Sequence, residues 1–437
     1  MSEQNPPQQP PMVLHPQVED RDALAERLLA THRVWDPWSL EHKMRFHGGP
    51  LIFSGAFKRR LDDAARRVGA LYESLARIVW GRPAFLDDFY HLTPWQKRMW
   101  LASGGRWHAF ARLDCFLCRD GRLQICEINA DTPSGHDDAF TIGQVVGEDH
   151  PHLVDPNARY VPSLLAVAEQ AHAAMTGADG GLRAVGIVYP TDQPEDITLI
   201  HMISDWFAAR GVRVVHGSPF NIVPGPSGRG VSLFGQPVDL IYRHYKTDWW
   251  GERAPVWRDE PPFYDEEALE GPLRDVLRAE LEGHLAVLNP FGSIVPQNKR
   301  SQAFFWRERR LFSASDQATI REFIPETWPL ESMDAAKLLG ERELWVLKSD
   351  FGCEGDEVVI GRHVDDELWG RALQNAVPGR WVAQRFFDVM PLNERWLPNI
   401  GVYLVGGAPV GLFTRLSPLE TITDDRSRVA PSFVEGR

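Results

Sequence analysis

Apolar positions along the chain fall into stretches with two different periods. Over residues 55–80, Leu61, Ala65, Val68, Leu71, Tyr72, Leu75 and Val79 recur at helical spacing with Arg and Asp between them, which predicts one long amphipathic helix. Residues 18–32, 160–176, 195–210, 266–284 and 299–311 read as further helices, the last with Lys299 in its first turn. Short apolar runs at 184–189, 212–216 and 239–242 flank the 195–210 helix, and this spacing predicts a small open α/β domain. Strands are also predicted at 344–348, 357–361 and 380–387. A hairpin is predicted at 400–405 and 408–415 across Gly406-Gly407, with Val405 opposite Ala408 and Tyr403 opposite Val410.

The most informative stretch is 112–129, RLDCFLCRDGRLQICEIN. Asp120-Gly121 is a strong two-residue hairpin signal. A turn there sets Cys118 opposite Leu123, Phe116 opposite Ile125, Asp114 opposite Glu127 and Arg112 opposite Asn129. Because strand side chains alternate, all eight are expected on one face. Two carboxylates directly opposite each other repel, so something cationic is expected between them. Asp114, Glu127 and Asn129 offer oxygen donors with no His or Cys beside them, a set suited to a hard ion such as Mg²⁺.

Two loops add chemistry. Residues 130–138 leave the ligand end of the hairpin as a polar loop, where Asp131, Thr132 and Ser134 are the candidates for substrate contact and His136 has no identifiable partner. Residues 344–348 end in Lys348, followed by SDFGCEGD with glycines at 352 and 355. A strand lysine beside a glycine-bearing loop suits phosphate, since Lys neutralises oxygens and Gly lets backbone N–H groups approach. The order is not that of a Walker A loop. Cys115 and Cys118 point to opposite faces of the predicted strand, so a shared metal or redox role is not expected.

Composition narrows the class. The chain has 437 residues, 43% hydrophobic, enough for two or three domains. Its net charge of −13, from 47 basic and 60 acidic residues, argues against a nucleic-acid partner and is compatible with a cationic substrate. No apolar run reaches the roughly 18 residues of a membrane span, and the Pro/Gln-rich start lacks the apolar core of a signal peptide, so a cytoplasmic protein without a membrane partner is expected. The expected division is a disordered tail (1–17), an N-terminal helical region with the metal-binding hairpin (18–180), a small α/β substrate domain (181–288) and a nucleotide-binding region (289–437). Oligomeric state is left open.

Taken together, RLDCFL…DGRLQICEINADTPSG at 112–135, NPFGSIVPQNK at 289–299, WVLKSDFGCEGDEVVIG at 345–361, WVAQRFF at 381–387, and APVGLFTRLSP with ETITDDRSRVAP at 408–431 resemble the synthetase domain of glutathionylspermidine synthases, a divergent branch of the ATP-grasp ligases. The resemblance runs in order over most of the chain. It implies an α/β (α+β) ATP-grasp fold with a small pre-ATP-grasp domain and N-terminal helices. The implied activity is ATP-dependent ligation of a carboxylate to an amine through an acyl phosphate; the acid is expected to be a peptide or amino-acid carboxylate and, from the acidic net charge, the amine a polyamine or another cationic amine. It implies that Asp114, Glu127 and Asn129 hold Mg²⁺, that Arg112 and Arg415 face phosphates or the acyl phosphate, that Lys299, Lys348 and the glycines at 352 and 355 bind ATP with Gln384 near the adenine, and that Thr132 and Ser134 touch the acid. The glycine loop departs from the family in Ser349 and Cys353. Only a short tail precedes the helices, so the amidase of bifunctional members is not expected. Two rivals are a catalytically silent ATP-grasp scaffold and a metal-dependent hydrolase built on Asp114, Glu127 and His136.

Overall fold

The structure, a computed structural model, describes residues 10–17, 20–38, 42–177, 181–252, 259, 269–352, 357–419 and 426–436. It is a mixed α/β (α+β) architecture. Its centre is a five-stranded antiparallel sheet in the order Arg428–Ala430, Ala408–Pro418, Trp396–Val405, Phe110–Leu117, Leu123–Asn129. The two predicted hairpins, far apart in sequence, are therefore neighbours in one sheet, and residues 289–437 do not form a unit separate from the N-terminal region.

Alternation along these strands gives the sheet two different faces. Leu113, Cys115, Leu117, Ile400, Val402, Leu404, Leu412 and Leu416 point into the largest apolar core. The predicted long helix, Gly55–Gly81, supplies Leu61, Ala65, Val68, Leu71, Leu75 and Val79 to the same core. Ser54 caps its start by accepting from the Phe57 N–H at 3.2 Å, which satisfies one of the otherwise unpaired first-turn donors. Burying such side chains contributes about 1.5–3 kcal/mol each, so the polar face opposite rests on a rigid floor.

A second antiparallel sheet runs Thr327–Pro329, Trp381–Arg385, Trp345–Ser349, Val358–Ile360. Trp345, Leu347, Trp381 and Ala383 pack into a small core on one side of it. Lys348 and Gln384 alternate with these residues and so take the other side. The stretch expected to be a small α/β domain holds a parallel sheet ordered Ala286–Leu288, Leu240–Arg243, Ala184–Val188, Arg213–Gly217, with the helix Ile197–Ala208 as a crossover. Residues 10–17, expected in a disordered tail, include the strand Met12–Leu14, which pairs with Leu51–Phe53. No helix among the described residues is long and apolar enough to cross a membrane.

Candidate active site

The first hairpin carries its chemistry where the sequence placed it, by a different route. Arg112 pairs with Asn129 and Asp114 with Glu127, as expected. Nearer the turn the register is one residue off, with Cys115 opposite Ile125 and Leu117 opposite Leu123. The turn is asymmetric, since the Cys118 N–H donates to the Arg122 carbonyl at 2.8 Å and the Gly121 N–H to the Cys118 carbonyl at 2.9 Å. Cys126 is then the extra residue of a β-bulge that restores the register. The expectation that eight side chains share a face is corrected. Leu123 and Ile125 turn into the core, while Phe116 stays on the face that carries Arg112, Asp114, Glu127 and Asn129.

Asp114 is buried and fully engaged. Oδ1 accepts from Arg112 Nε at 2.9 Å and from Asn129 Nδ2 at 3.4 Å. Oδ2 accepts from Arg415 Nη2 at 2.7 Å and from Asn399 Nδ2 at 3.2 Å. Burial pushes the carboxyl up, but the Arg112 and Arg415 charges outweigh it and pull Asp114 down to about 2. Arg415 is lowered chiefly by its own burial. Both guanidinium carbons sit over the Phe413 ring, at 5.3 and 5.4 Å from its centroid. Gly401 lies opposite both Asp114 and Phe413, and a Cβ there would meet Arg112 Cδ at 2.7 Å. Arg112 Nη1 also donates to the Ser134 carbonyl at 3.0 Å, which accepts from the Tyr403 hydroxyl at 2.9 Å.

The repulsion expected between Asp114 and Glu127 is thus met by cations of the protein itself. Arg112 and Arg415 hold Asp114, and Lys299 Nζ lies 3.7 Å from Glu127. Among the described residues no group of three or more His, Cys, Asp or Glu is arranged to hold a metal. The donor chemistry still fits one hard cation in part. Glu127 is half-buried, and the Asn129 amide, with its nitrogen toward Asp114, leaves its oxygen as an acceptor. Mg²⁺ commonly takes only one or two carboxylates, with substrate phosphates and water completing its shell. Asp114, whose oxygens already accept from four protein donors, does not fit as a further ligand.

Lys299 joins the two sheets. Its N–H donates to the Asp350 carbonyl at 2.9 Å and its Nζ to the Gly352 carbonyl, so it touches both the hairpin and the start of the glycine loop. Gly355 and Cys353 lie outside the described residues. Either side of that loop, Arg380 holds Glu357 through two bonds of 2.8 and 2.7 Å and lies 3.3 Å from Asp350. Lys348 is buried and makes no hydrogen bond or ion pair among the described residues. Gln384 donates to Thr327 Oγ1 at 3.2 Å and reaches the Cys126 carbonyl at 3.5 Å.

The 130–138 segment is less open than expected. Asp131 is buried, with Oδ1 2.6 Å from Arg243 Nη2 and 2.9 Å from the Ser293 hydroxyl, and Oδ2 accepting from the Thr247 N–H at 2.7 Å. It anchors the hairpin to the small domain and has no oxygen left for a substrate. Thr132 and Ser134 are half-buried beside it, and Ser134 meets the arginines through its carbonyl. From His136 the chain is a helix, His136–Gly147, so the last three residues of the expected 130–138 loop are its first turn. His136 is fully buried against Tyr403 and Tyr160. Asp137 accepts from Thr198 at 2.7 Å and Asp138 pairs with Arg45 at 2.8 Å, so neither is an exposed acidic residue open to a cationic substrate.

Sequence reading missed Asn399, Gly401, Tyr403 and Phe413. The alternation of Asn399, Gly401 and Tyr403 with Ile400, Val402 and Leu404 was a usable signal. It also missed the role of the 289–299 segment. Asn289 bonds the backbone of Ala109, Phe110, Ala130 and Asp131, and Gln297 Oε1 accepts from the N–H groups of Ala130 and Asp131.

No family model and no curated protein matches the sequence. Solved structures do. A glutathione synthetase-like effector from Globodera pallida, in its apo form, is 11% identical, with a TM-score of 0.58 over 95% of this chain and 98% of that one. A protein assigned as a gamma-glutamylcysteine synthetase, from Methylobacillus flagellatus KT, is 12% identical over 82% and 86% of the two chains, with a TM-score of 0.45. The first likeness spans both chains nearly end to end and shows a shared, glutathione synthetase-like fold.

Proposed function

We propose that this protein is an ATP-dependent carboxylate–amine ligase of the ATP-grasp type, related to the synthetase domain of glutathionylspermidine synthases. One observation carries the reading. Three cations, Arg112, Arg415 and Lys299, lie beside two carboxylates, Asp114 and Glu127, and a fourth, Lys348, is buried on the second sheet. That excess of positive charge in a partly desolvated site favours a polyphosphate. The synthetase-like fold of the Globodera pallida protein agrees with it.

In this reading Lys299 and Lys348 bind the phosphates, and Gln384 lies toward the adenine. Glu127 and Asn129 would hold Mg²⁺, which when bound neutralises phosphate charge. The arginines hold the transferring phosphoryl group beside the acid, and Thr132 and Ser134 bind that acid. Its carboxylate oxygen takes the γ-phosphoryl group, ADP leaves, and the amine attacks the acyl carbon with release of phosphate. The acid is a peptide or amino-acid carboxylate. A cationic amine now rests on the net charge of −13 alone. The test is ADP release from ATP against a panel of peptides and amino acids crossed with polyamines and neutral amines, with product masses. ADP release that needs both an acid and an amine supports the ligase. Nucleotide binding without turnover on any pair makes the protein a binding scaffold, and absence of nucleotide binding removes both.

A further inference from the structure

We infer that Asp114 is a positioning residue that aligns Arg112 and Arg415 as a paired anion clamp, and is not a ligand of the metal. The inference rests on the nucleotide-binding reading above and refines which carboxylate does what. A carboxylate has about four acceptor positions, and those of Asp114 face Arg112, Asn129, Arg415 and Asn399. A divalent ion bonded to either oxygen would have to displace one of these donors and sit beside the guanidinium charges. Glu127 has no such shell. Its nearest cation, Lys299, is 3.7 Å away, and the residue is half-buried rather than enclosed.

The surroundings of Asp114 are shaped to hold the arginines. Phe413 presents its ring to both guanidinium groups. Gly401 omits the side chain that would collide with the Arg112 stem. Asp114 takes only one nitrogen of each arginine. Arg415 Nε is buried without a hydrogen-bond partner, and neither Arg415 Nη1 nor Arg112 Nη2 bonds anything among the described residues. Two fixed cations around one anion, with donors to spare, form a receptor for a second anion such as a phosphoryl group.

The test compares Asp114→Asn, Glu127→Gln and Gly401→Ala in the full chain, using two probes. Mn²⁺ binding with a non-hydrolysable ATP analogue, read by electron paramagnetic resonance, is expected to be unchanged in Asp114→Asn and weakened at least about 10-fold in Glu127→Gln. Inorganic phosphate is expected to raise the melting temperature of wild type and Glu127→Gln but not of Asp114→Asn. The half-saturating Mg²⁺ for turnover should stay constant in Asp114→Asn while kcat falls about 100-fold or more. Gly401→Ala, whose methyl would meet the Arg112 stem and the Phe413 carbonyl and so displaces the clamp without touching a carboxylate, should copy Asp114→Asn in every readout and decides the matter if Asp114→Asn does not fold. Loss of Mn²⁺ in Asp114→Asn to the extent seen in Glu127→Gln, or unchanged phosphate stabilisation in Gly401→Ala, overturns the inference. The phosphate measurement needs no nucleotide, so failure of the analogue to bind wild type would count against the ligase and leave this test standing.

Discussion

Two buried aspartates, seventeen positions apart and both bonded to arginine, play opposite parts. Asp131 meets one arginine, Arg243, and every nitrogen of Arg243 has an oxygen partner: Asn289 and Tyr245 carbonyls, the Ser293 hydroxyl and Asp131 itself. The charges cancel and no nitrogen is left without a partner. Asp114 meets two arginines, so a positive charge remains, and Arg415 keeps a buried nitrogen with no hydrogen bond. A closed network fixes how parts of a molecule sit together. One with surplus charge and spare donors is prepared for something that is not yet there.

Breaking the closed network should have the largest effect. Asp131→Ala leaves Arg243 charged and unpaired in the interior, and is expected to lower stability by about 3–5 kcal/mol in urea unfolding. Breaking the open one should divide stability from function. Arg415→Met leaves Asp114 balanced by Arg112, so stability should change by less than about 1 kcal/mol, while ADP release falls about 10²- to 10³-fold. A comparable loss of stability in both variants would erase the distinction.

Lys348 extends the comparison to a cation with no carboxylate beside it. Lys348→Met should leave the unliganded protein at least as stable and weaken ATP binding by about 1.5–3 kcal/mol, roughly 10- to 150-fold by calorimetry. Asp137 is the mirror case, an acid without a cation bonded to it. Burial, then its neighbour Asp138, pushes Asp137 up to about 7, far above its ordinary value. Between about pH 4 and 7 the folded state therefore holds a proton that the unfolded state has lost. Its contribution is full below the unfolded value and fades as the pH rises through about 7. Asp137→Asn should flatten the fall in stability over that window, an effect on the order of 1–2 kcal/mol. An unchanged profile would mean that Asp137 is ionised in the fold.

These contrasts were partly legible in the chain. The Asp114–Glu127 pairing followed from Asp120-Gly121 and period-two counting, although two irregularities had to cancel for it to hold. The bulge at Cys126 has no signal in residue type alone. In the second hairpin Val405 does face Ala408, but a register shift sets Tyr403 opposite Gly411 rather than Val410. The adjacency of Trp396–Val405 to Phe110–Leu117 was not legible. Pairing over such a separation is decided by tertiary packing, so the arginine pair could be proposed from family likeness but not built. The helix His136–Gly147 could have been found. Asp137 and Asp138 suit a first turn, and Ala139, Ile142, Val145 and Val146 keep helical spacing. Arg243 lies one residue past the predicted apolar run at 239–242, and nothing in that run marks it as the partner of Asp131.

The central sheet also sets a timetable for synthesis. Its middle is a seam between a strand ending at Leu117 and one beginning at Trp396. At about 5–20 residues per second, roughly 15–55 s separate the emergence of these strands from a ribosome. For that interval the first hairpin has one unpaired edge and an apolar face without its neighbours, a template for wrong pairing. Asp114 and Glu127 then stand opposed without Arg415, and for the first part of the interval without Lys299. The candidate site is therefore completed late in translation, and a stalled or truncated chain carries Arg112, Asp114 and Glu127 without their later partners.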